Sequence, residues 1–331
     1  MNKSDSERIA AVLENKGYKP IKAVFPAEAL ASADLIVVNM CSVRQSAVNR
    51  VYGLVQKFKK LKEKNPKLTT ILTGCILKKD KEKFAKYFDY ILDIKDLLKW
   101  PKIKPRYSNN FSAFVPIMTG CNNFCSYCVV PYTRGKEISR SAIEIIKEVK
   151  NLVNRGYKEI ILLGQNVNSY CSKLINFPKL LKMLEKIPGN FEISFMTSHP
   201  KDLSDELIET IATSKKIKKE IHLPVQSGDD EILKKMNRGY TVKKYTALIK
   251  KIRERIPGAK ISSDIIVGFP GETKKQFANT LTLVKKLEFS KMYISKYSPR
   301  QGTVAFNLKD NISQEEKERR REAIAAIKHK L

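Results

Sequence analysis

Short apolar runs alternate with amphipathic stretches of helical period along this 331-residue chain, and that alternation limits its fold more than any other feature. Short, mainly apolar runs between helices suit strands covered by helices. Parallel strands need such cover, because each crossover lays a helix on the sheet. In the first third, residues 35–40 (LIVVNM), 68–74 (LTTILTG) and 90–93 (YILD) read as buried strands. Between the first two, Val48, Val51, Val55, Phe58 and Leu61 recur at three- and four-residue spacing, so one helix face carries them all. Six further runs follow at 114–118, 159–163, 191–195, 220–223, 260–267 and 292–297, and each of the first five leads into a helical stretch such as 141–154 or 273–287. Six consecutive strand–helix units predict an open or partial α/β barrel with its chemistry at the carboxyl ends of the strands. Residues 101–111, starting PKIKPRYSNN, hold two prolines and no period, which marks a linker between domains at 1–100 and 112–331. Two domains also suit the length at roughly 150 residues each.

The chain opens on a helix signal. Ser4-x-x-Glu7 reads as a capping box, followed by an apolar face of Ile9, Val12 and Leu13 that ends near Gly17. A parallel α/β domain ordinarily begins with a strand, so a strand before residue 1 is expected. No run of about 18 apolar residues occurs, and the first ten residues lack an apolar leader, which argues against membrane spanning and secretion. A cytoplasmic chain keeps its thiols reduced, so its six cysteines point to ligand or catalytic roles ahead of disulfides. With 63 basic and 34 acidic side chains the net charge is +29. A polyanionic partner such as a nucleic acid fits that charge. Lysine-rich solvated helix faces, as in KKLKEKNPK and KKDKEKFAK, fit it equally well.

Cys121, Cys125 and Cys128 form a C-x3-C-x2-C set (CNNFCSYC) in a strand-to-helix loop, where three thiolates can converge on one metal site. Zinc would want four ligands, and His199 and His222 are remote in sequence. A cubane iron–sulfur cluster held by three cysteines leaves one iron for an outside ligand. Cys41 and Cys75 each end a strand-like run of the first domain. Either one alone reads as a small buried hydrophobe. Cys171 reads as structural or incidental.

This cysteine loop on the first strand of a six-unit barrel resembles the radical S-adenosylmethionine (SAM) superfamily. The flanking text TGCNNFC (119–125), PYTRG (131–135) and SRS (139–141) resembles its methylthiotransferases. LLGQNVNSY (162–170), HLPVQSG (222–228), MNR (236–238), DIIVGFPGET (264–273) and YSPR (297–300) are similar to the tRNA-specific, MiaB-type branch. The resemblance implies a flavodoxin/Rossmann-like parallel-sheet domain followed by a radical SAM partial (β/α)6 barrel. It implies a [4Fe–4S] cluster on Cys121, Cys125 and Cys128, with SAM on the open iron cleaved to a 5′-deoxyadenosyl radical. Gly164, Gln165 and Asn166 are implied to lie near SAM or substrate, although a strand-ending turn would explain them too. Cys41 and Cys75 resemble ligands of an auxiliary [4Fe–4S] cluster that carries the inserted sulfur.

Two departures from the family pattern stand out. The first of three auxiliary ligands is expected two residues before Met1, so a chain starting at Met1 is expected to bind about one cubane. The family's usual C-terminal RNA-binding (TRAM) barrel is not expected within these residues, which end in a basic helical stretch at 314–331. The implied reaction converts N6-isopentenyladenosine at tRNA position 37 to its 2-methylthio derivative, with one SAM as methyl donor and a second as radical source. Implied partners are the tRNA anticodon loop and an electron donor such as flavodoxin or ferredoxin, for a monomeric cytoplasmic transferase that binds no membrane. The alternatives are action on threonylcarbamoyl-adenosine or a ribosomal protein, or an iron–sulfur RNA-binding protein unable to insert sulfur. Arg134, Arg140, Arg238 and Arg300 are candidates for phosphate contacts or structural ion pairs, and His222 for a substrate contact or a satisfied core histidine.

Overall fold

In the computed structural model the described residues are 1–21, 32–43, 45–97, 105, 107 and 110–327. Arg44 and most of the linker expected at 101–111 lie outside them. The chain divides into two compact units, Met1–Ser108 with Tyr132–Arg134, and Asn109–Pro131 with Gly135–Leu331.

The first unit runs α1 (Asn2–Glu14), β1 (Leu35–Cys41), α2 (Gln45–Lys64), β2 (Thr69–Cys75), α3 (Lys78–Phe84), β3 (Tyr90–Ile91) and α4 (Ile94–Leu97). Its strands form a parallel sheet in the order β1-β2-β3. The apolar stripe of α2 packs on this sheet, where Val48, Val51 and Phe58 join Met40, Leu72, Phe84 and Phe88 in one buried cluster and Val55 and Leu61 cover its edge. Phe58, Phe84 and Phe88 meet edge to face at 5.8–6.0 Å, the arrangement their ring quadrupoles favour. The capping box expected at Ser4 and Glu7 does not form. Helix α1 starts at Asn2 with Met1 as its cap, so both residues lie inside the helix and are buried. Its Ile9 packs with Ile94 against Leu13, Val37 and Leu97.

The second unit carries β4 (Ser112–Pro116), β5 (Met118–Thr119), α5 (Val130–Arg134), β6 (Ile138–Ser139), α6 (Ala142–Asn154), β7 (Glu159–Leu163), β8 (Cys171–Ser172), β9 (Ile175–Asn176), α7 (Phe177–Glu185), β10 (Glu192–Phe195), α8 (Asp205–Thr213), β11 (Glu220–His222), α9 (Asp230–Lys235), α10 (Val242–Arg255), β12 (Lys260–Val267), α11 (Lys274–Leu287), β13 (Lys291–Lys296) and α12 (Gln314–Ala325), with residues 132–134 of α5 grouped with the first unit. All six expected barrel strands are present. They form two parallel sheets, β4-β7-β10 and β11-β12-β13. Residues 216–218 join the two, because Ile193 accepts from Lys218 N (2.9 Å) and donates to Lys216 O (2.8 Å) just before β11 begins. Six strands thus follow one another in sequence order, and among the described residues β4 and β13 do not pair, which leaves the barrel open. The first strand ends at Pro116, two residues before the expected 118. One more bond follows, from Ile117 N to Leu163 O at 2.8 Å, and Met118–Thr119 then pair antiparallel with β6. Helix α11 has a full capping box, Thr273 and Gln276 each bonding the other's backbone N–H.

Candidate active site

The cysteine loop follows β4 and is fixed by backbone bonds from several sides. Cys121 N donates to Gly135 O (3.2 Å), Cys128 N to Cys125 O (2.9 Å), Ser126 N to Met236 O (3.0 Å), and Ser126 O accepts from Ala305 N (2.7 Å). Phe124 turns the loop at φ +46°, and the Asn237 amide holds that turn through Phe124 O at 3.0 Å. Cys121 and Cys125 are buried. Burial pushes the Cys121 thiol up and that of Cys128 up to about 12, so both keep their protons at neutral pH until a metal cation takes their place.

Among the described residues no three His, Cys, Asp or Glu side chains gather closely enough to hold one metal ion. A tetrahedral zinc, with sulfur at about 2.3 Å, would draw them closer together. A cubane offers each thiolate its own iron and suits a more spread set.

The loops after β7, β10 and β11 end at the same carboxyl edge as the cysteine loop, since all these strands are parallel. There Gln165 Oε1, Asn166 Oδ1, both amide atoms of Asn168, Ser198 Oγ, His199 Nε2 and Gln226 Oε1 are buried without a protein partner. Buried polar atoms are nearly always satisfied, so a row of orphans marks where a polar ligand would complete them. A polar ligand carrying both donors and acceptors fits such a row. Backbone strain collects in the same loops: Thr197 holds φ +70° and Gln226 φ +69°. A β-branched residue there is a true outlier. Thr197 Oγ1 donates to Gly164 O at 2.7 Å. A Cβ at Gly164 would stand 2.6 Å from Met118 Cγ, so a side chain there would have to displace Met118. His199 is neutral. Burial, then Arg238 and Lys201, push it down to about 2, and its Nδ1 accepts from Lys201 N. Ser198, His199 and the strained Thr197 had no motif to announce them; their only sequence signal is their place after a strand-like run.

The first unit holds the other thiols. Cys41 and Cys75 are register partners at the carboxyl ends of β1 and β2, side by side on one sheet face, and they hydrogen-bond to each other. Contact with Cys41 and burial hold the Cys75 thiol up. Arg134 Nε donates to Cys75 Sγ at 2.8 Å, and its other end pairs with the buried Asp5 at 2.5 Å. The Met1 amino group is held below its usual range by burial, with Asp5, Arg134, Cys75 and Cys41 all near enough to act on it.

The four arginines considered for phosphate contacts turn inward. Arg134 serves Cys75 and Asp5, Arg140 bonds Pro116 O and Glu148, and Arg238 and Arg300 are buried. His222 has partners on both nitrogens, Ser262 Oγ at 3.0 Å and Asp264 at 3.4 Å. Cys171 is exposed in the β8–β9 hairpin, where its thiol donates to Lys173 O. No helix among the described residues is long and apolar enough to cross a membrane.

Residues 115–284 match the model of the radical SAM superfamily, and residues 1–93 match the uncharacterized protein family UPF0004. The tRNA-2-methylthio-N(6)-dimethylallyladenosine synthase of Thermoanaerobacter pseudethanolicus is 43% identical over 365 aligned positions, which span 100% of this chain and 76% of that protein. The Clostridium novyi protein of the same name is 44% identical over 354 positions, or 97% of this chain and 77% of its own. Among solved structures, the radical SAM methyltransferase TsrM of Kitasatospora setae superposes with a TM-score of 0.66 at 15% identity, over 88% of this chain and 70% of that one, a likeness of fold alone. A superfamily match over the barrel, together with relatives this similar along the whole chain, means that the protein belongs to the radical SAM superfamily and, within it, to the family of the tRNA-2-methylthio-N(6)-dimethylallyladenosine synthases.

Proposed function

We propose that the protein is a radical SAM tRNA methylthiotransferase that converts N6-isopentenyladenosine, next to the anticodon at position 37, to its 2-methylthio derivative. The observation that carries this reading is the conjunction of the three-thiol loop with the row of orphaned polar atoms at one end of an open barrel. Cys121, Cys125 and Cys128 would hold a [4Fe–4S] cluster. Bound there, the cluster supplies the electron that cleaves SAM, a step that belongs to the cofactor and not to the protein.

The chain's own residues do the rest. The cysteine loop's backbone anchors keep three thiols ready before loading. Gln165, Asn166 and Asn168 offer amide groups to SAM at the end of β7, with Gly164 keeping that turn close to Met118. Neutral His199 and Gln226 offer an acceptor or donor without adding charge. Cys41 and Cys75 would supply two of the three thiolates that the family pattern gives to a second, sulfur-bearing cluster, and their in-register placement supports that role. An unstacked anticodon-loop base can be splayed into the barrel mouth, where a base still stacked in a helix cannot. A monomer working in the cytoplasm, with a flavodoxin- or ferredoxin-type donor, completes the proposal.

The test is anaerobic reconstitution followed by nucleoside analysis of isopentenylated tRNA incubated with SAM and reductant. The 2-methylthio nucleoside should form, and Cys125→Ala should abolish release of 5′-deoxyadenosine. Retained 5′-deoxyadenosine formation in that variant overturns the cysteine assignment. Product found only on threonylcarbamoyl-adenosine or on a ribosomal protein overturns the substrate.

A further inference from the structure

Arg238 is a buried cation with no carboxylate. It follows α9, its side chain is almost wholly enclosed, and no aspartate or glutamate among the described residues pairs with it. Its guanidinium is instead divided between uncharged oxygens and one sulfur. NH2 donates to Pro224 O (3.0 Å), Nε to Tyr240 Oη (3.0 Å), and NH1 to Cys125 Sγ (3.2 Å), with Tyr127 Oη at 3.4 Å. A buried charge left without its counter-charge costs several kcal/mol. The fold surrounds this one with neutral groups and aims it at a cysteine 113 residues away in the chain.

We propose that Arg238 is a positioning residue whose charge sets the reduction potential of the cluster held by Cys121, Cys125 and Cys128. The inference rests on the cluster assignment made above. A 2+ cubane with three thiolates carries a net charge of −1, and one electron from the donor takes it to −2. A fixed guanidinium against one ligand sulfur stabilises the second state more than the first, so it makes reduction easier. Hydrogen bonds to cluster sulfurs and nearby charge are recognised levers on such potentials. The same contact explains why the arginine is not free for phosphate: its charge is already committed to a thiolate. Guanidinium suits the position because it stays protonated, is weakly hydrated and can bond several acceptors in one plane.

The experiment uses the full chain in a Cys41→Ala/Cys75→Ala background, so that only the three-cysteine cluster contributes signal. Iron content is measured first. The cluster is then titrated potentiometrically without SAM, with the reduced state read by electron paramagnetic resonance. Arg238→Met at full iron loading should show about tenfold less reduced cluster at the same poise, equivalent to about 59 mV for a one-electron couple. Arg238→Lys should restore most of the difference. If Arg238→Met does not load, Arg238→Gln, which keeps a donor toward Pro224 O, is read in its place. An unchanged potential in the neutral variant, or an equal shift in Met and Lys variants, overturns the charge role and leaves Arg238 a packing residue. Absence of iron from the parent background overturns the cluster reading itself, an outcome distinct from any shift in potential.

Discussion

Gly74→Ala tests how the paired thiols of the first unit are built. Gly74 stands opposite Met40 in the β1–β2 register, one residue before Cys75. It holds φ +112°, and an added Cβ would lie 2.1 Å from Met40 O, 2.6 Å from Asn39 Oδ1 and 2.9 Å from Met40 N. Two of these three atoms are backbone, so no rotamer change relieves the clash. The strands must part or the chain must leave its left-handed conformation. Strain at positive φ contributes about 1–3 kcal/mol, and forcing atoms into a packed site about 1–3 kcal/mol more. A loss of about 2–6 kcal/mol is a large share of the ~5–15 kcal/mol typical of a domain. Gly53 in α2 is the internal control, because a Cβ there meets nothing within 4 Å, and alanine should gain up to about 1 kcal/mol from helix propensity. The assay is urea unfolding followed by peptide-resolved hydrogen exchange across residues 35–41 and 69–75. Gly74→Ala unfolding at the parent urea concentration, or Gly53→Ala losing as much stability as Gly74→Ala, would refute the steric reasoning.

Two further outcomes follow from buried groups. His199 titrates near 6.5 when unfolded and is pushed down to about 2 when folded, so the unfolded chain binds the extra proton as pH falls. Its contribution to stability is present above pH 6.5 and is lost toward pH 2, at up to about 1.4 kcal/mol per pH unit. His199→Asn should flatten that slope in acid unfolding titrations; an unaltered slope counts against a buried neutral imidazole. Arg320 and Glu272 form an almost wholly buried ion pair at 2.7 Å. Arg320→Met, leaving the carboxylate alone, should cost about 3–5 kcal/mol in chemical denaturation, and adding Glu272→Gln should recover much of it. Equal stability of the single variant and the parent would show that the pair is not buried in solution.

What could be read from the chain was local. The strand at 159–163 appears where expected because a parallel strand covered on both faces keeps an apolar run, here 160–163, and that signature needs no distant partner, while 260–267 alternates buried with half-buried positions and is marked by its apolar end at 265–267. The C-x3-C-x2-C loop was legible for the same reason, since eight residues contain the whole donor pattern. The capping box at Ser4 failed through tertiary context: Asp5 is drawn into the Arg134 ion pair, and the helix begins earlier than local propensity would set it. The orphaned atoms of Ser198 and His199 were illegible because no motif covers them and no spacing rule links the ends of different strands. Only the parallel sheet brings those ends to one edge.

The +29 charge resolves into two populations with different physics. Several arginines are internal with fixed partners: Arg134 on Cys75 and Asp5, Arg140 on Pro116 O and Glu148, Arg238 on Cys125, Arg320 on Glu272. Lysines such as Lys57, Lys59, Lys60, Lys243, Lys244, Lys285 and Lys286 are exposed on helices. A compact, strongly hydrated ammonium on a flexible stem suits solvent and diffuse attraction to a polyanion, whereas a planar guanidinium suits fixed geometry in a dry interior. Net charge alone therefore joined two separate matters. The lysines bear on how a phosphate backbone is attracted, a salt-dependent effect insensitive to sequence. The arginines bear on thiols and loops at the strand ends, where the chemistry is set.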